Sequence, residues 1–193
     1  MPLSTWLKAG TSATALVLAM AGSATAATTP AGESSAVRAA AVSLRYDDSR
    51  AVGWEAAIAA GVASWNANVS NVKLVEAASG TAAEIVIVAT TGWPQATLGP
   101  VRPGGQVRVE LGSQAVDQGY NKTRIAAHEL GHSLGLPDTK PGPCSQLMSG
   151  SSAGTACTNA TPDATERSRV QSTYASGIAT PAPADSRILI DAP

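Results

Sequence analysis

The spacing of apolar and polar positions changes along the chain, and each change predicts an element. Residues 42–46 alternate, as a half-buried strand does. Asp47, Asp48 and Ser49 then read as a turn. Over residues 54–67 the spacing becomes helical, with Trp54, Ile58, Val62 and Trp65 on one face and alanines between them. Residues 72–76 predict a second strand. Residues 84–89, nearly all apolar, predict a third of the kind covered on both faces. Residues 92–105 carry Pro94, Pro100 and Pro103 among glycines, so they predict a loop or at best an edge strand. Residues 106–111 alternate again. A helix running to about residue 134 follows, and Asn121 or Thr123 can cap its start. Residues 161–175 predict a last helix with Pro162 in its first turn. This order implies an α+β fold: a mixed, twisted sheet with two long helices and a C-terminal helix packed on it. The chain has no Phe, so the core must rest on aliphatic residues, Trp and Ala, with helices brought close through alanine.

Composition separates the two ends from this pattern. Lys8, the apolar stretch 9–21 and the small residues Ala24, Thr25 and Ala26 form a signal-peptide pattern over residues 1–26. The apolar stretch is shorter than a membrane-spanning helix requires. Residues 27–40, rich in Ala, Ser and Thr, cannot bury a core and predict a short pro-segment. The folded domain is expected over residues 41–176, with a flexible proline-containing tail over 177–193. Within that tail the apolar Ile188, Leu189 and Ile190 have no assignable partner. The expectation is a secreted, extracellular monomer. A net charge of −1 without runs of like charge gives no footprint for nucleic acid or an anionic membrane.

The chemistry lies in the only two histidines, which stand four residues apart in His128-Glu129-Leu130-Gly131-His132. Residues i and i+4 share a helix face, so both imidazoles can reach one ion. Neutral imidazole suits zinc, and the intervening Glu129 can act as general base on a water there. A catalytic zinc keeps three protein ligands and one open position. With no third histidine, the remaining ligand must be Asp, Glu or Cys. Gly135 can end the helix and turn the chain, and Pro137 prevents its continuation. Asp138 is therefore the best-placed third ligand. Cys144 and Cys157, thirteen positions apart in an exported chain, read as one disulfide, with Cys144 as a zinc ligand the competing use.

These residues resemble a known family. The segment from His128 to Asp138 is similar to the elongated metzincin motif, with Asp in the third ligand place as in snapalysins, small secreted zinc endopeptidases of actinobacteria. The resemblance continues through Gly142-Pro143-Cys144, Met148-Ser149-Gly150, Cys157-Thr158-Asn159, residues 166–170 and Ala63-Ser64-Trp65-Asn66, and covers most of residues 41–176. It implies a metzincin-like fold, protein or peptide substrates and an aromatic preference on the carboxyl side of the cut. It also implies a methionine turn at Met148 as a soft floor beneath the metal. Two departures matter. Thr139 and Lys140 stand where the family commonly has His-Tyr, so a tyrosine able to stabilise the oxyanion is missing there. The family's calcium site maps to Asn121 and Thr123, where loss of a carboxylate should lower Ca²⁺ affinity and helix capping is the competing use.

Two other functions fit the same ligands. One is a secreted zinc-binding protein without catalysis, for which Glu129 would have no use. The other is a zinc amidase acting on a non-peptide amide.

Overall fold

The computed structural model describes residues 40–177 and 187–192. The expected leader and pro-segment therefore fall outside the described residues, apart from Ala40. A six-stranded mixed sheet has the order β2-β1-β3-β5-β4-β6. β1 (Val42–Arg50) pairs in parallel with β2 (Val72–Glu76) and β3 (Ile85–Thr90), and β3 pairs in parallel with β5 (Val107–Gly112). β4 (Gln95–Thr97) runs antiparallel to β5 and carries β6 (Ile188–Ile190) on its outer side, also antiparallel. The expected α+β architecture is the one observed.

β1 is longer than its alternation predicts. The expected turn at Asp47 lies inside the strand, where the register with β3 shifts between Asp47 and Arg50. A bulge lets a polar run continue a strand by adding an unpaired residue to the ladder. A larger difference lies at the C-terminus: residues 188–190 are not a loose tail but a strand on the sheet edge.

The helices are α1 (Glu55–Asn68), the short α2 (Ser113–Asp117), α3 (Lys122–Ser133) and α4 (Ala164–Thr173). α1 and α3 pack closely through small residues, as an alanine-rich, Phe-free core requires. A Cβ on Gly61 would lie 3.0 Å from the backbone nitrogen of Ala127. Beside this contact Trp65, fully buried, donates its indole N–H to the Ala127 carbonyl at 2.8 Å. Around it Ile58, Leu44, Ile85, Ile87, Leu111 and Leu130 close the core between helices and sheet. The Trp65 bond fixes the height of α3 on α1, and thereby that of His128, the next residue, and of His132 one turn beyond it.

α4 begins with a reciprocal capping box: Asp163 accepts from the Glu166 amide, and Glu166 accepts from the Asp163 amide. This cap starts the expected 161–175 helix at Ala164, so Pro162 precedes the cap and is not in the first turn, and the helix ends at Thr173.

Candidate metal centre

α3 starts where Asn121 Oδ1 accepts the Arg124 amide at 2.9 Å, satisfying one of the helix's orphan donors. It ends at Gly135, whose φ of +98° is open to glycine and strained for other residues. A Cβ there would also press within 3.1 Å of Pro100. The chain then doubles back through Leu136 and Pro137 to present Asp138.

On this helix His128, Glu129 and His132 are all buried. His128 Nδ1 lies 3.0 Å from the Leu147 carbonyl, and His132 Nδ1 lies 2.7 Å from the Leu136 carbonyl. A carbonyl only accepts, so each Nδ1 carries the proton and each Nε2 presents its lone pair to the site. The two rings stand nearly perpendicular, at 84°, with centroids 4.5 Å apart. Asp138 Oδ1 lies 3.2 Å from His128 Nε2 and 3.5 Å from His132 Nε2.

These distances test the donor set. Bonds of about 2.0–2.1 Å at tetrahedral angles put neighbouring donor atoms roughly 3.3 Å apart. Both Nε2 atoms, Asp138 Oδ1 and both Glu129 carboxylate oxygens are buried without a hydrogen-bond partner. Unmet polar atoms of this kind are costly unless a ligand satisfies them. The residues present fit a single small divalent cation such as zinc.

Electrostatics agree. Burial lowers the pKa of His128, but the carboxylates of Asp138, Asp191 and Glu129 outweigh it and raise it to about 9. His132 is pulled down to about 4 by burial and by His128 beside it. The carboxylates around His128 Nε2 thus draw positive charge to that atom, a place that a bound cation would take from the proton. Burial raises the Glu129 carboxyl well above its usual range.

Below the helix, Met148 is fully buried in a 3-10 segment (Leu147–Ala153), where the resemblance places the methionine turn. Two residues that sequence reasoning did not single out hold this segment. Arg124, buried in the first turn of α3, donates to Gln146 O at 3.0 Å and Ser149 Oγ at 2.9 Å through one nitrogen, and to Asn159 O at 2.6 Å through another. The Glu166 carboxylate accepts the amides of Leu147 at 3.2 Å and Met148 at 2.8 Å. Cys144 and Cys157 are joined as a disulfide, so neither thiol is available to a metal. Asn121 Oδ1 serves the helix cap, and Thr123 lies inside the first turn of α3.

A third unanticipated residue is Asp191. It follows β6, is buried, and brings a carboxylate oxygen to 4.0 Å from His128 Nε2. One donor atom from each of His128, Glu129 and Asp191 lies within 4.8 Å of the others. An isolated Asp in a proline-containing tail offered no periodicity or spacing from which to infer this.

Two imidazoles and a carboxylate thus converge as a candidate site for one metal ion, with Glu129 beside them on the same helix. The chain belongs to the Streptomyces extracellular neutral proteinase (M7) family, whose model matches residues 41–177. It is 44% identical over 141 residues to an extracellular small neutral protease of Streptomyces coelicolor, covering 73% of this chain and 63% of that one. It is 40% identical over 136 residues to the protein of the same name from Streptomyces caespitosus, covering 70% of this chain and 99% of that one. Across three Streptomyces relatives the match spans 59% to 63% of the relative's length. Among solved structures the chain is similar to high choriolytic enzyme 1, a hatching enzyme zinc-protease from the medaka Oryzias latipes. That likeness has 25% identity and a TM-score of 0.38, covering 51% of this chain and 46% of that one.

Proposed function

We propose that the protein is a secreted zinc endopeptidase acting on extracellular proteins or peptides. The observation that carries this reading is the convergence of His128 Nε2, His132 Nε2, Asp138 Oδ1 and the Glu129 carboxylate, all buried and without hydrogen-bond partners. His128, His132 and Asp138 would hold zinc, which supplies a Lewis acid for the scissile carbonyl and lowers the pKa of water. Glu129 takes the proton of the attacking water and passes it to the leaving amine. The Nδ1 bonds to Leu147 and Leu136 keep both imidazoles in the ligating tautomer and orientation. Met148, held through Glu166, supports them from below.

Export is supported by the signal-peptide pattern and by the extracellular relatives. Among the described residues no helix is long and apolar enough to cross a membrane. The family resemblance supports an aromatic preference on the carboxyl side of the cut. Purified protein should contain one zinc per chain and degrade casein, and a chelator should abolish the activity. Stoichiometric zinc without casein or peptide cleavage would replace this reading with a metal-binding protein or an amidase of other substrates.

A further inference from the structure

The outer edge of β4 is the natural place for an extended peptide, because a strand edge offers amides and carbonyls for strand addition. β4 leads directly to the metal helix: the amides of Gly99 and Val101 donate to the carbonyls of His132 at 2.8 Å and Ser133 at 3.0 Å. In this structure the edge is already taken. Ile188, Leu189 and Ile190 pair antiparallel with Thr97, Ala96 and Gln95. Hydrogen bonds from Leu98 N to Arg187 O at 2.8 Å and from Asp191 N to Pro94 O at 2.9 Å extend the ladder at both ends.

The strand delivers Asp191 into a socket shaped for it. Its Oδ1 lies 2.6 Å from Lys140 Nζ and accepts the Ser151 amide at 2.9 Å. The next carbonyl, Ala192 O, accepts from Ser151 Oγ at 2.9 Å and Lys140 Nζ at 3.0 Å. Gly150, at φ +53°, makes the room: a Cβ there would lie 2.2 Å from Asp191 Oδ1. Ile188 and Ile190, by contrast, are more than half exposed. The grip is therefore backbone pairing plus one buried carboxylate, the kind of contact a polypeptide substrate would make, and not a hydrophobic seal.

We propose that residues 187–192 are an internal substrate mimic that occupies the peptide-binding edge of β4 and seats Asp191 beside the metal centre, holding the enzyme inhibited until the segment is displaced. This rests on the endopeptidase reading. The same socket of Lys140, Ser151 and Gly150 is then a subsite for an acidic side chain on a peptide bound antiparallel to β4. Because the segment belongs to the same chain, its effective concentration at the cleft is in the mM range, and a Kd of about 0.1 mM would fill the cleft about nine-tenths of the time. Displacement then frees Lys140, which stands where the family commonly has the aromatic pair.

The test uses the full chain. Asp191→Ala removes the seated carboxylate, and Leu189→Pro breaks the pairing opposite Ala96. Each should raise kcat/KM on a short peptide about tenfold over wild type. A fluorescently labelled synthetic peptide of residues 187–193, Arg-Ile-Leu-Ile-Asp-Ala-Pro, should bind saturably by anisotropy to the Leu189→Pro, Glu129→Gln double variant. It should bind far more weakly to Glu129→Gln alone, whose own segment is in place. Unchanged kcat/KM in both variants would overturn the proposal, as would equal peptide binding to the two Glu129→Gln proteins. A chain with no peptidase activity would overturn the proposed function instead, while the anisotropy comparison would still decide the docking.

Discussion

Glu166 and Met148 are tied together by a single carboxylate. The glutamate that closes the capping box of α4 also accepts the Met148 amide at 2.8 Å, so the start of the last helix and the floor of the metal site are one hydrogen-bonded unit. Glu166→Ala should leave the Leu147, Met148 and Asp163 amides without this acceptor. The expected cost is about 1–3 kcal/mol of unfolding free energy by urea denaturation, with faster zinc loss to a chelator. Unchanged stability and metal retention would show that the turn holds itself.

Gly131, between the two histidines, has a packing reason to be glycine. A Cβ there would lie 2.6 Å from Met148 Sδ and 3.1 Å from Trp65 Cζ2. Alanine is the better helix former by about 1 kcal/mol, but overpacking a buried contact costs about 1–3 kcal/mol. Gly131→Ala should therefore lower the Tm and displace Met148. A higher Tm would mean that the methionine yields freely.

Asn121→Ala removes the N-cap of α3 and should cost about 1 kcal/mol. Because its side-chain oxygen is used by the Arg124 amide, the loss should be the same with calcium and with a calcium-selective chelator. A Tm penalty seen only in calcium would return Asn121 to the role of ion ligand.

The Cys144–Cys157 bridge closes the loop that carries Met148, with a sequence separation of 13. In the chain-entropy model such a loop contributes about 3 kcal/mol. Mild reduction should lower activity and zinc retention at temperatures where far-UV circular dichroism is still native. Simultaneous loss of all three would show that the bridge supports the whole domain and not the floor alone.

The convergence of the candidate ligands His128, His132 and Asp138 was legible because their spacing is local in sequence. A histidine pair at helical spacing, a glycine that ends the helix and an aspartate just beyond it specify their own geometry. The sheet was legible where alternation was clean, as in residues 72–76 and 106–111. What stayed hidden depends on contacts far along the chain. Arg124 reads as an ordinary charged helix residue until Gln146, Ser149 and Asn159 are brought round it. The expectation of a loose tail at residues 187–192 follows from composition, which cannot register that β4 leaves an edge open or that Gly150 leaves a socket. Residues 92–105 read as an edge strand at best, and β4 became a strand with β6 on its outer side.

Glu129→Gln separates catalysis from metal binding, because it deletes the base while keeping both imidazoles and Asp138. Zinc content and casein cleavage should be measured on the same preparation. One zinc per chain, as in the wild type, is expected, with nearly all proteolysis lost. A variant that keeps half the wild-type activity with its zinc in place would contradict the role given to Glu129.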